Sequence, residues 1–289
     1  MPYESRKVHL DLITDQGEVC VLHLTWIRFR ERWHGQAYLE HHDRGGRRCV
    51  LRCVGIPPMM DFERGIEHLP SALELPDGEL GIQVKPVHEG WDPVVPSPCP
   101  HLQWSIAALR SRVHLEWPTA QGPRRMSGEG TIALTRITAP PRKLRLRSLR
   151  WGRAHQFERS LAFMALELED DKRWFVGVTR LHGRPARSYG NLQLGLDQAG
   201  GEGTVRFGTG GQVLRLKTPR LLYAGPALDA ERVPAFLHRQ ACQWAGGPQE
   251  ERRWLAKTRV DGAHGEGLAL HEHVLFGKHA RKAARSRPS

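Results

Sequence analysis

Apolar and polar residues alternate along most of this 289-residue chain, and a period of two is the mark of half-buried strands. Val8 to Thr14 and Glu18 to Phe29 read as two strands, with Asp15-Gln16-Gly17 as the hairpin turn between them. His34 to Glu40 continues the pattern, and Asp43-Arg44-Gly45-Gly46 turns the chain before Arg47 to Val54. Residues 56–100 are Pro-rich and less regular, with a weak strand at Glu79 to Lys85 and a loop at Pro93 to Pro100. Alternation returns from Trp104 to His155, broken by Gly and Pro. Leu161 to Leu168 and Arg173 to His182 flank the turn Glu169-Asp170-Asp171, and Ser188 to Leu196, Thr204 to Phe207 and Gln212 to Lys217 follow. Gly265 to Phe276 is the last strand.

A single helix is predicted. Asp229 is a good N-cap, and Val233, Phe236, Leu237, Ala241 and Trp244 form an apolar stripe closed by Gly246-Gly247. His279 to Ser289 reads as a disordered basic tail. Many short strands and one late helix predict an all-β chain, built as barrels or sandwiches and long enough for two of them. Ala37-Tyr-Leu-Glu40-His41 echoes Ala269-Leu-His-Glu272-His273, a short hint of duplication.

Composition agrees with this picture. Hydrophobic residues make up 39%, with nine Trp and eight Phe to build a core, and thirty Gly and twenty Pro suit a turn-rich β chain. No apolar run reaches the ~18 residues of a transmembrane helix, and Met1 to Leu10 lacks the apolar region of a secretory signal. The cytoplasm is the expected compartment, where Cys20, Cys49, Cys53, Cys99 and Cys242 are small buried side chains. Cys49 and Cys53 share a strand face, but no second pair completes a zinc set, so no metal is expected. His41-His42-Asp43 and His271-x-His273 likewise lack a third ligand.

Net charge is +12. Nucleic acid, an anionic membrane and simple solubility compete to explain it. No nucleic-acid-binding signature accompanies the charge, so membrane attraction ranks above nucleic acid. Lys143, Arg145 and Arg147 alternate with Leu144 and Leu146, predicting a basic strand face. That face either guards an edge strand or docks peripherally on anionic head groups at the inner membrane face.

The central stretch carries a resemblance. It reads Trp104-Ser-Ile106-Ala107, then Ser111-Arg112-Val113, then Gly128-Glu129-Gly130-Thr131-Ile132-Ala133, then Pro140 and Trp151-Gly152-Arg153-Ala154. In order and spacing this resembles the carotenoid 1,2-hydratase (hydroxyneurosporene synthase) family and its relatives, the AttH-like tandem lipocalin-like proteins. The resemblance implies two lipocalin-like antiparallel barrels, over 1–138 and 139–278, around an apolar pocket and without a cofactor. It implies hydration of a carbon–carbon double bond in a polyene, which needs a proton donor, an environment tolerant of a carbocation, and a base-assisted water. Trp104, Arg112, Thr131, Trp151 and Arg153 fall on the family's motif positions, and with Tyr38 they are the candidate substrate-binding residues.

Two departures bear on the chemistry. The family's Tyr and Asp in G-x-G-Y-x-D fall on Thr131 and Ala133, and its His falls on Leu102, with His101 one position away. Alanine cannot donate a proton. Candidate replacements are Glu272, which alternation places on one face with four apolar side chains, and Glu129, which shares a strand face with Thr131 and Ala133. Glu40, at the echo position beside Tyr38, and His101 complete the set. If the other face of the last strand points inward, His271 and His273 replace Glu272 there. The readings are a hydratase-like lyase, or a related terpenoid cyclase or isomerase, acting by acid catalysis on an apolar substrate, and a non-catalytic lipocalin-like carrier.

Overall fold

A computed structural model describes residues 3–29, 31–56, 69–75, 78–93, 96–197, 201–227, 249–277 and 279–280. The helix predicted between Asp229 and Gly247 and most of the basic tail lie outside these residues. The chain divides into two compact units, Met1–Asp92 with His101–Ala139, and Pro93–Pro100 with Pro140–Ser289.

The first unit is one antiparallel sheet of eight strands: β1 (Glu4–Ile13), β2 (Val19–Phe29), β3 (Arg32–His42), β4 (Arg48–Val54), β5 (Ala72–Leu75), β6 (Gly78–His88), β7 (Leu102–Trp117) and β8 (Arg124–Ile137). Their order is β4-β3-β2-β1-β8-β7-β6-β5. Each strand pairs with its sequence neighbour except across β4 and β5, and β1 pairs with β8, so the meander curls into a nearly closed barrel. The turns are those that alternation and Gly placement predicted, with Gly17 at φ 79° and Gly46 at φ 84°.

The G-x-G motif has a physical role in this closure. A Cβ on Gly128 would lie 2.2 Å from the Ile13 carbonyl oxygen, and one on Gly130 would lie 1.8 Å from that of Asp11. Only glycine lets β8 come this close to β1. One face of every strand fills the barrel with Leu10, Leu12, Leu22, Leu24, Trp26, Leu39, Leu115, Trp117 and Ile132, each at most 2% exposed.

The second unit is a nine-stranded antiparallel sheet: β9 (Leu146–Gln156), β10 (Arg159–Leu168), β11 (Arg173–Leu181), β12 (Arg187–Tyr189), β13 (Leu192–Leu196), β14 (Gly203–Phe207), β15 (Val213–Pro226), β16 (Gln249–Val260) and β17 (Gly267–Phe276). The order β12-β11-β10-β9-β17-β16-β15-β14-β13 again joins first strand to last. Its core is Ala154, Leu161, Phe163, Val205, Phe207, Leu214, Leu216, Ala256 and Ala269. The chain is thus all-β, with two nearly closed antiparallel barrels in tandem.

Three expectations are corrected. Cys49 is exposed and Cys53 only partly buried, so these two are not buried core side chains. The five-residue echo falls on β3, third in its meander, and on β17, last in its own, so it does not mark equivalent strands of a repeat. Lys143 belongs to a 3-10 turn, Pro141–Lys143, and Arg145 has φ 53°, so the strand starts only at Leu146 and no alternating basic face forms there. Arg145 and Arg147 instead reach Glu169 (3.7 Å) and Asp171 (3.1 Å).

Candidate acid–base site

In each barrel, the strand face opposite the apolar core is also buried over part of its area, and there it carries polar side chains. On β1 that face carries His9 and Asp11, 7% and 0% exposed. Register sets what lies beside them. His9 stands opposite His23 on β2 and opposite Ala133 on β8; His23 stands opposite Tyr38 on β3; Ala133 stands opposite Ile106 on β7. A row therefore runs Ile106, Ala133, His9, His23, Tyr38 across five adjacent strands, with directly opposed Cβ atoms about 4.5–5.5 Å apart.

The side chains of this row are in contact. His9 Nε2 lies 3.7 Å from Asp11 Oδ2, which is ion-pair distance. The His9 and His23 rings meet edge to face at 4.5 Å, and His23 stacks on Tyr38 at 4.4 Å. Asp11 is anchored at its other oxygen, where Oδ1 accepts the Thr131 N–H at 2.8 Å. The register leaves Asp11 and Thr131 out of the β1–β8 ladder, so this carboxylate takes the place of a missing strand bond. The Thr131 hydroxyl donates to the Leu109 carbonyl at 3.1 Å.

On the other side of Ala133 the surface is apolar. Trp104 and Ile106 share its face, Trp91 bridges to Ile106, and the Trp91 and Trp104 rings meet at 5.8 Å. Ala133 thus sits where an aromatic wall meets a carboxylate–imidazole cluster. The short side chain at 133 leaves the His9 ring as the nearest titratable group across the strand.

The predicted acids have different surroundings. Glu40 is fully buried and bonded to His42 Nε2 at 2.9 Å and Arg48 Nε at 2.8 Å. Glu272 lies on the β17 face opposite the barrel core. Its Oε2 accepts from Trp151 Nε1 at 2.8 Å, and its Oε1 pairs with Arg253, which is 0% exposed and also donates to Glu251 at 2.8 Å. A guanidinium beside a buried carboxylate favours the ionised form, which opposes the role of a protonated acid.

The inward residues of β17 are His271 and His273. Burial pushes His271 down to about 4 and His273 to about 3, so both are neutral near pH 7. The Gly in Trp151-Gly152-Arg153 makes room for this layer, since a Cβ there would lie 2.7 Å from both His271 Cβ and Phe163 Cε1.

The other candidates scatter. Glu129 does share its face with Thr131 and Ala133 but is partly exposed and paired with Arg110, whose Nε is 2.9 Å away. Arg112 is exposed on β7. His101 is exposed and bonds Thr138 Oγ1 at 3.1 Å. Arg153 is buried on β9, in the second unit. Of the candidates, Thr131 and Tyr38 adjoin a cluster that sequence reading missed, Asp11, His9 and His23, and Trp104 lies two strands from His9 on the same face. The only sequence signal of His9 and Asp11 is a pair of polar side chains two apart on a strand. Among the described residues, no group of three or more His, Cys, Asp or Glu is arranged to hold a metal ion.

No family model and no curated protein matches this chain. Solved structures do. An AttH protein from Nitrosomonas europaea is similar at a TM-score of 0.54, with 13% identity, covering 96% of this chain and 93% of that one. CghA crystallised with Sch210972 is similar at 0.54 and 10% identity, covering 96% and 89%. A second structure of CghA gives 0.52 and 9% identity, covering 95% and 88%. At these identities the likeness is one of fold, along nearly the whole of each chain.

Proposed function

We propose that this protein is a hydratase-like enzyme that adds water across a double bond of an apolar terpenoid or carotenoid without a cofactor. The observation that carries the proposal is the buried Asp11–His9 pair directly across the strand from Ala133, the position where the resemblance puts a donor carboxyl. In this reading the His9 imidazolium, balanced by Asp11, protonates one alkene carbon. The cation forms on the other carbon and faces Trp91 and Trp104, whose ring faces favour positive charge. Water then forms the C–O bond and returns a proton to His9, so the sum is addition of one water. His23 and Tyr38 orient the His9 ring through their contacts.

The fold supports a small-molecule reading too, since CghA was crystallised with Sch210972. Membrane docking through Lys143, Arg145 and Arg147 has weaker support, because two of the three already pair with carboxylates. Incubation with an acyclic carotenoid in heavy water tests the reaction. One deuterium on carbon is expected in the product, and His9→Gln should lower the rate about 100-fold or more. Product without deuterium, or full rate in His9→Gln, refutes the proposal.

One observation favours a carrier. Asp11 is tied to the Thr131 N–H, as a structural carboxylate would be. Tight binding of the carotenoid with no product in heavy water would establish that alternative.

A further inference from the structure

The second barrel holds an arrangement that the reaction above does not use. On the inward face of β9, β17 and β16, register sets Arg150 opposite His273 and His273 opposite Arg252. The row one step deeper is Gly152, His271 and Trp254, with the two rings stacked at 5.1 Å. Beyond it lies the apolar layer of Ala154, Ala269 and Ala256. The row one step outward carries Ser148, Glu250 and Glu167.

Two guanidiniums therefore flank an imidazole at one end of a barrel interior, all three partly buried. No hydrogen bond or ion pair joins these three side chains to another described residue. The nearby carboxylates Glu167 and Asp197 act on Arg150 through charge without bonding it, and burial outweighs them; their bonds go elsewhere. Glu167 accepts from Ser148 at 3.1 Å and pairs with Arg173 at 3.6 Å; Asp197 accepts the Gly201 N–H at 2.8 Å; Glu250 has partners of its own.

Partly desolvated arginines are normally paired, because a cation removed from water without a counter-charge is costly. His273 cannot supply the counter-charge, since an imidazole carries no negative charge in either protonation state. We infer that Arg150, His273 and Arg252 form a binding site for an oxyanion, the carboxylate or phosphate head of a small ligand. Arginine forks suit such groups because their N–H donors match two oxygens at once. The site lies wholly in the second unit and does not depend on the proposed hydration.

The facing groups predict the response. His271, Asp197, Glu167 and Glu250 are the other titratable groups around the row. His273 is held neutral first by burial and then by Arg150 and Arg252, so an anion seated on the arginines should raise its pKa. The test follows the imidazole resonances of the full-length labelled protein by NMR, titrating inorganic phosphate in one arm and hexanoate in the other. Saturable shifts at His273 with an upward move of its pKa are expected in at least one arm; which arm identifies the head group. Arg150→Gln and Arg252→Gln should each weaken binding about tenfold or more, since charge-assisted bonds are lost. If one variant fails to fold, the other carries the test. Absence of shifts in both arms, or affinity unchanged in a folded variant, overturns the inference.

Discussion

Acidification should unfold this protein well above the usual carboxylate range, and the cause is buried imidazole. Burial, then Arg150 and Arg252, hold His273 at about 3; burial holds His271 at about 4; burial and then Arg124 hold His41 at about 4. In the unfolded chain each would titrate near 6.5. Between those limits the unfolded chain binds more protons than the folded one, so stability is fully present above about pH 6.5 and falls as pH falls toward 4. One imidazole with a folded value near 4 contributes about 2 kcal/mol of this loss by about pH 5. Three give an upper figure of about 6 kcal/mol, comparable with the ~5–15 kcal/mol of a whole domain.

The assay is urea unfolding followed by tryptophan fluorescence at several pH values between about 7 and 5, above the titration of the ordinary carboxylates. Stability should drop throughout this window. Replacing both His271 and His273 by Gln should remove roughly 4 kcal/mol of the drop. Constant stability from pH 7 to 5, or an unchanged slope in the double variant, would refute the reasoning.

Arg253→Met strands Glu272 and Glu251 without their shared buried cation and should cost about 3–5 kcal/mol, whereas Glu272→Gln keeps an acceptor for Trp151 and should cost about half as much or less. Equal losses by urea unfolding would contradict the network. Gly152→Ala forces a methyl against His271 and Phe163, both 2.7 Å from the added atom, and should cost about 1–3 kcal/mol of unfolding free energy. A thermal midpoint unchanged from the parent would show that the layer is looser than described.

Alternation carried most of the fold because a strand with one apolar face announces itself. The turns at Asp15–Gly17 and Asp43–Gly46, and strands such as β2 and β11, follow directly from it. β16 did not, because Gln-Glu-Glu-Arg-Arg looks like a solvated run. In the barrel Glu250, Glu251 and Arg253 are at most 6% exposed, since ion pairing compensates charges that the pattern assigns to water. The basic strand expected around Lys143 failed for a local reason, the 3-10 turn and the left-handed Arg145. The site was legible only where it coincided with a motif. Trp104 and Thr131 carry one, but His9, Asp11 and His23 become a cluster only through the β1–β2 and β1–β8 registers, which no local sequence signal encodes.

That register also bears on the choice among the candidate acids. Recruiting Glu40 or Glu272 would mean protonating a carboxylate that already holds a cation, the partly buried Arg48 in one case and the fully buried Arg253 in the other. The His9 imidazole needs no such sacrifice, and its Cα partner on β8 is Ala133 itself. Exchanging a carboxyl at 133 for an imidazole at 9 shifts the proposed proton source by about one strand spacing, ~4.8 Å, on the same face. Two positions so placed should substitute for one another. Ala133→Asp introduced into the His9→Ala protein should therefore restore about tenfold or more of the lost deuterium incorporation, with a carboxyl now serving as donor. The single change Ala133→Asp in the parent should give no comparable gain, since in the proposed reaction His9 already supplies the proton. Failure of the folded double variant to recover any activity would sever position 133 from the chemistry and with it the placement of the site.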